Sequence, residues 1–300
     1  MDSTVVEISE PRVVGVREKM MGFVELTKPR IAFMLVLTSA AGFYLGTTGS
    51  FDLVLFANAM IGIALLAFGV ATLNQFIERD VDKLMDRTAG RPLPTGTLAP
   101  IEALVFGIVQ CAVAEVYLYF LVNPLTAALG LVVIVGYVLL YTPLKTRTSA
   151  STAIGAIPGA MPPLMGWTAA SNDITLGAWS LFVILFLWQF PHFLAIALMY
   201  RDDYAKAGIK MLPVLEPDGR ITARQIVTFS FMLLVASVAP YFLGIASIAY
   251  LIGAFALGLW FLIESIATAR KRTKESAKRL LFVSVIYLPL IFGLLVFTKQ

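Results

Sequence analysis

The chain is short of the side chains that build most metal and redox centres. Cys111 is its one cysteine and His192 its one histidine. Disulfide frameworks need cysteine pairs, and zinc or di-iron sites need Cys or His clusters, so those chemistries are excluded. Charge is scarce too: 14% of the 300 residues are Asp, Glu, Lys or Arg, against 59% hydrophobic. A soluble domain is about 25% charged and about 45–50% apolar. The excess apolar surface calls for a bilayer as solvent, since a lipid-facing helix can be apolar all round. The net charge of +4 is small, and no nucleic-acid partner is expected.

The first residues lack the apolar core of a signal peptide. They carry Asp2, Glu7, Glu10 and Glu18, which argues against an acid-poor transit peptide. Residues 1–24 are expected to form a flexible cytoplasmic tail ahead of a single membrane domain over 25–300.

A bilayer core about 30 Å thick needs about 20 apolar residues per helix. Nine stretches qualify, with cores at 31–48, 53–77, 101–121, 124–142, 152–170, 175–199, 223–244, 246–266 and 280–298. The expected fold class is therefore all-α: a polytopic membrane protein of nine transmembrane helices. Links as short as Asn123-Pro124 make sequential spans antiparallel neighbours. Of the 23 Lys and Arg residues, 22 fall in the segment through Arg30 and in loops 79–100, 143–151, 200–224 and 268–279. These are alternate loops, so by the positive-inside rule the N-terminus is cytoplasmic. The expected location is a bacterial-type inner (plasma) membrane.

The second span ends in a polar stripe. Asn74, Glu78, Asp82 and Asp86 are spaced by four. On a helix each such step advances about 6 Å and about 40°, so the four drift slowly along one face. Asn74 and Glu78 lie at or within the mouth of the span, where polar groups are costly and tend to face a bundle interior. Carboxylate and amide oxygens suit a hard cation such as Mg²⁺, which takes one or two carboxylates and leaves other positions to water and substrate phosphate. Arg87 and Arg91 follow, able to hold phosphate oxygens bidentately. Acids beside bases fit a metal–diphosphate complex; the plain alternative is a solvated loop of (i, i+4) pairs.

A second polar cluster leaves the sixth span: His192, then Arg201, Asp202, Asp203, Lys206 and Lys210. Both clusters end even-numbered spans, four spans apart, and both run Arg-Asp, then bases, then proline. That resembles a parallel internal repeat. Between them, Lys145 and Arg147 lie on a short basic loop that either adds phosphate ligands or is an ordinary cytoplasmic loop. The next span opens with Gly155, Pro158, Gly159, Pro162 and Pro163. A helix broken at membrane depth must line a cavity or be packed in protein. His192 is either a hydrogen-bonded packing residue or a ligand. Glu115 and Glu264 are intramembrane acids.

Asn74-x3-Glu78-x3-Asp82-x4-Arg87-Thr88-x2-Arg91-Pro92 resembles the first aspartate-rich motif of the UbiA-type intramembrane prenyltransferases. Further motifs resemble the branch of that family acting on heme: Lys28-Pro29-Arg30, Tyr141-Thr142, Gly159-Ala160-x-Pro162-Pro163-Leu164-x-Gly166-Trp167, Trp188-Gln189-x-Pro191-His192-Phe193, and Asp203-Tyr204-x2-Ala207-Gly208-x2-Met211-Leu212-Pro213. Together they cover residues 25–215. Two departures stand out: Glu78 replaces the usual Asp, and Met199 stands four before Asp203 where many members carry a second Asp.

The resemblance implies nine helices round a lipid-open cavity, with farnesyl diphosphate and heme B as substrates. It implies a catalytic and Mg²⁺-binding set of Asn74, Glu78, Asp82 and Asp203, with Asp202 an alternative metal ligand. Arg87, Arg91, Lys145, Arg147 and Lys210 would hold the diphosphate, and His192 would orient or ligate the heme. Heme-modifying or oxidase proteins are the partners the resemblance implies. The alternatives are a prenyltransferase for an aromatic or quinone-precursor acceptor and, from another class, a membrane transporter.

Overall fold

The structure is a computed structural model describing residues 14–216 and 218–300. Apart from one antiparallel bridge between Ala246 and Lys299, the described residues form no β-structure. The segment expected to be a flexible tail is only partly in view: residues 1–13 lie outside the described residues, while Val16–Leu26 form helix α1. α2 (Pro29–Gly46) follows across a hinge at Lys28, whose φ is 48°. Pro29 at the first helical position presets the entry to α2.

The next helices are α3 (Leu53–Asp82), α4 (Pro100–Leu121) and α5 (Pro124–Ile134). Asp52 caps α3 by accepting from the Leu55 N–H, and Asn123 caps α5 by accepting from that of Thr126. α5 continues through a π-helical stretch, Val135–Tyr141, into α6 (Thr142–Leu144). Pro143 has no N–H to continue an α-helical ladder, and the Thr142 N–H bonds instead to the Tyr137 carbonyl.

α7 (Ser151–Gly159) and α8 (Met161–Ser171) meet at Ala160. The fifth expected span is thus two short helices, broken where glycine and proline are dense. α8 is packed in protein rather than exposed to lipid: every residue from Met161 to Ala169 is buried. α9 (Leu176–Met199), α10 (Arg201–Lys206), α11 (Leu212–Leu215), α12 (Arg220–Ser237), α13 (Ala239–Phe242), α14 (Ile248–Lys271) and α15 (Lys274–Phe297) complete the chain.

Eight helical stretches among the described residues are long and apolar enough to cross a membrane: Val16–Gly46, Leu53–Asp82, Pro100–Leu121, Pro124–Leu144, Leu176–Met199, Arg220–Phe242, Ile248–Lys271 and Lys274–Phe297. Lipid is as apolar as leucine, so such helices associate through close packing and small residues. The tightest approach is between α2 and α8. A Cβ on Gly42 would fall on the Pro163 carbonyl, and one on Gly166 on the Ser39 carbonyl. Elsewhere Gly69 lets Cys111 of α4 lie against the α3 backbone. The central core runs through Leu66, Val70, Leu73, Leu164, Leu181, Ile184, Tyr250, Phe261 and Tyr287.

Candidate functional site at one end of the helix bundle

The last turns of α3 carry the polar stripe into a buried setting. Asn74 and Asp82 are each 1% exposed. Burial at the end of an apolar helix makes an unpartnered polar group costly, and three basic side chains from three segments supply partners. Lys28 Nζ donates to Asn74 Oδ1 at 2.9 Å. Lys145 Nζ lies 2.6 Å from Glu78 Oε1, and Arg91 Nη1 lies 2.6 Å from Asp82 Oδ2. Asn74 also donates to Thr142 Oγ1 at 3.1 Å, and that hydroxyl donates to the Tyr137 carbonyl at 2.8 Å. The π-helical stretch therefore delivers Thr142 and, one turn on, Lys145 to the face of α3. Such irregularities recur where side chains must be aimed.

Burial alone would lower the pKa of Lys145. The Glu78 carboxylate outweighs it, with Tyr141 and Tyr137 acting in the same direction, and holds the ammonium well above lysine's ordinary value. Its Nζ also sits 4.5 Å from the Tyr141 ring centroid, a cation–π contact.

Arg91 reaches Asp82 because the loop after α3 folds back on itself. Thr88 Oγ1 donates to the Asp82 carbonyl at 2.8 Å, and the Arg91 N–H bonds to the Thr88 carbonyl at 3.0 Å. Only one Asp82 oxygen is used: Oδ1 is buried without a hydrogen-bond partner among the described residues. This orphaned buried carboxylate oxygen lies on a stripe of hard oxygen donors, one helical turn from Glu78 and two from Asn74, a donor chemistry that fits Mg²⁺. No three His, Cys, Asp or Glu side chains converge among the described residues. A metal here would take one or two protein carboxylates and complete its shell from phosphate and water, as Mg²⁺ typically does.

The two polar clusters meet, as their common end of the bundle requires. Arg87 pairs with no carboxylate among the described residues; its Nη2 donates to the Tyr204 hydroxyl at 3.3 Å, and its guanidinium sits 5.2 Å from the Tyr200 ring centroid and 5.6 Å from that of Tyr204. Lys206 pairs with Asp86 at 3.5 Å, both exposed. Beneath them Met85 is buried with Ala197, Ala207, Ile209 and Met211. The Lys210 N–H bonds to the Lys145 carbonyl at 2.8 Å, tying the middle loop to the second cluster.

The remaining expected residues divide. Asp203 is half-buried, with no side-chain partner among the described residues. Asp202 turns away to Lys274, 3.3 Å distant and exposed. Arg147 and Lys210 are exposed, their side chains in no ion pair among the described residues. His192 faces α15: its Nδ1 is 2.7 Å from Ser284 Oγ, and Trp188 stacks on its ring at 4.4 Å. The Ser284 hydroxyl donates to the Leu281 carbonyl at 2.6 Å. That leaves Oγ to accept from His192 Nδ1–H, so Nε2 carries the lone pair. Glu264, one of the intramembrane acids, is paired with Arg279 at 2.6 Å.

The structure adds Lys28, Thr142, Tyr200, Tyr204 and Ser284 to the polar network; Lys28, Thr142 and Tyr204 lie in the family-like motifs, which assign them no chemistry. Lys28 had a usable signal, since a lysine directly before a helix-opening proline sits at the same membrane face as the end of the next antiparallel span. The others depend on which helices touch.

A profile of the UbiA prenyltransferase family matches residues 35–286. A protein named protoheme IX farnesyltransferase from Solibacter usitatus is 46% identical, over 93% of this chain and 99% of that one. A second of that name, from Koribacter versatilis, is 41% identical over 100% of this chain and 99% of its own length. Among solved structures, a digeranylgeranylglyceryl phosphate synthase superposes with a TM-score of 0.79 at 17% identity, covering 94% of this chain and 98% of that one. A UbiA homolog from Archaeoglobus fulgidus, bound to GPP and Mg²⁺, superposes at 0.68 with 18% identity, over 91% and 99% of the two chains. The likeness to these structures is one of fold. With the family profile covering most of the sequence and the curated relatives aligning nearly end to end, this chain belongs to the UbiA prenyltransferase family.

Proposed function

We propose that this chain transfers the farnesyl group of farnesyl diphosphate to a vinyl group of heme B, with addition of water, to give heme O and diphosphate. The observation that carries the site assignment is the convergence of Lys28, Lys145 and Arg91 on Asn74, Glu78 and Asp82. The acceptor follows from relatives named protoheme IX farnesyltransferase that align with nearly the whole chain.

In the reaction the C1–O bond of farnesyl diphosphate breaks, and the electron pair leaves with the diphosphate. The allylic cation forms a C–C bond with the heme vinyl group. Water adds to the resulting carbocation and loses a proton. Negative charge grows on the leaving group, so cations fixed beside it stabilise the transition state more than the bound substrate. Lys28, Arg91 and Lys145 are those cations, already oriented by their α3 partners, with Arg87 within reach once released by Tyr204. Asn74, Glu78, Asp82 and Asp203 are the residues that would hold Mg²⁺, whose charge, when bound, would further neutralise the diphosphate. The Trp188–His192 pair is the candidate heme contact, through Nε2.

The broken pair α7–α8 is proposed to cross the membrane as one unit, making nine crossings with the N-terminus in the cytoplasm. This agrees with the alternate-loop distribution of Lys and Arg. Bacterial relatives favour the inner membrane.

The test is product analysis by mass spectrometry. Purified protein receives heme B, farnesyl diphosphate and Mg²⁺, with a chelator control. The expected product is heavier than heme B by a farnesyl group and a hydroxyl group, and disappears on chelation. Chelator-sensitive diphosphate release without that product would retain the prenyltransferase and reject heme as acceptor.

A further inference from the structure

Helix α1 has two unlike faces. One packs on the protein: Leu26 is fully buried, Gly22 lies against Leu98, and the Phe23 ring meets that of Phe106 edge-on at 4.9 Å. The opposite face carries apolar side chains that no described residue covers. Val16, Met20 and Val24, spaced by one helical turn, are 79%, 65% and 52% exposed, and Met21 beside them is 62% exposed. Glu25 flanks this strip and is exposed.

The left-handed Lys28 breaks the axis between α1 and α2, so α1 is not a straight extension of the α2 crossing. Ile31 and Phe33, 58% and 66% exposed, follow at once on the lipid side of the hinge. The strip therefore adjoins the exposed apolar surface of a stretch long and apolar enough to cross a membrane. Exposed Arg17 and Arg30 lie on either side of the hinge, where long basic side chains reach headgroup phosphates. In water such a strip would be an adhesive patch; at the headgroup–acyl boundary it is solvated.

We propose that α1 is an interfacial anchor, lying in the bilayer boundary at the site end of the bundle with Val16, Met20 and Val24 among the upper acyl segments. The anchor is tied to the catalytic stripe. Gln75 Nε2 donates to the Leu26 carbonyl at 3.0 Å, and Lys28, two residues on, donates to Asn74 at 2.9 Å. Seating α1 in the membrane thus fixes the segment that presents Lys28.

The experiment uses the full chain in phosphatidylcholine–phosphatidylglycerol vesicles without substrate, so its outcome is independent of the farnesyl-transfer reading. In a Cys111→Ser background, single variants Met20→Cys, Val24→Cys and Glu25→Cys carry a nitroxide label. Their collision rates with oxygen and with a water-soluble nickel chelate are measured by power saturation. The expected result is oxygen access exceeding nickel access at 20 and 24, with the order reversed at 25. Nickel reaching position 20 as readily as 25 would overturn the anchor. So would exclusion of both relaxants from 20, which would mean that protein covers the strip. Because Cys111 is buried against Gly69, a Cys111→Ala background repeats the measurement should the serine variant fold poorly.

Discussion

Lys28 Nζ and the Asn74 amide oxygen, 46 positions apart, meet at 2.9 Å. This contact joins the start of α2 to the last turns of α3 and places a basic side chain beside the polar stripe. Lys28 does so from a left-handed backbone conformation, which costs a non-glycine residue roughly 1–3 kcal/mol and persists only where surroundings enforce it. Hydrogen bonds to charged groups contribute about 1.5–3 kcal/mol. Lys28→Met is therefore expected to lower kcat/KM for farnesyl diphosphate by roughly 10- to 100-fold, with Lys28→Arg recovering part of the loss. Unchanged kinetics in Lys28→Met would reduce the residue to a hinge.

Asp82 and Arg91 separate catalysis from stability. Asp82→Asn keeps the shape and removes the charge. Turnover should fall by at least about 100-fold, the scale of losing a preorganised electrostatic group, while the protein stays folded and monodisperse in detergent. Arg91→Ala instead strands a buried carboxylate. It should destabilise by about 3–5 kcal/mol, read as a lowered midpoint of thermal unfolding. Wild-type turnover in Asp82→Asn would sink the metal and diphosphate assignment.

Lys145 predicts a pH profile. Its pKa is raised above the ordinary lysine value because Glu78 outweighs burial. A raised folded pKa means that the pair's contribution is fully present below the ordinary lysine pKa of about 10.4 and is lost only as pH climbs through the higher folded value. The stability difference between wild type and Lys145→Gln should therefore be constant from about pH 7 to about pH 10. A difference that shrinks between pH 8 and 9 would show that the ammonium titrates normally and the pair is weak.

His192 and Ser284 test the heme end. His192→Ala should raise KM for heme B by about tenfold, roughly the 1.4 kcal/mol of one lost hydrogen-bond-scale contact, and leave KM for farnesyl diphosphate unchanged. Ser284→Ala should act in the same direction and more weakly, because it frees the imidazole orientation without removing the ring. Equal effects on both substrates would assign the pair to helix packing.

Much of the site was legible because its signal is local. The Asn74–Glu78–Asp82 stripe follows from four-residue spacing on one helix, and the end of the bundle it occupies follows from span alternation. Arg91 is also local, since the loop turns back within nine residues. The break at Ala160 was visible as proline and glycine density, although whether the broken segment lined a cavity or sat in protein was not. Packing against α2 decided that, through close backbone approaches at Gly42 and Gly166 that no single segment encodes.

What the sequence determined by itself is the class of solvent, the helical architecture and the family chemistry, because hydropathy, spacing and contiguous motifs are properties of single segments. Tertiary structure alone decided which cation meets which acid. Lys145 goes to Glu78, Arg91 to Asp82 and Lys28 to Asn74, while Asp202 is drawn off to Lys274 and Arg87 is held between Tyr200 and Tyr204. The physical reason is that these pairings depend on distances between helices far apart in the chain, and those distances are set by packing.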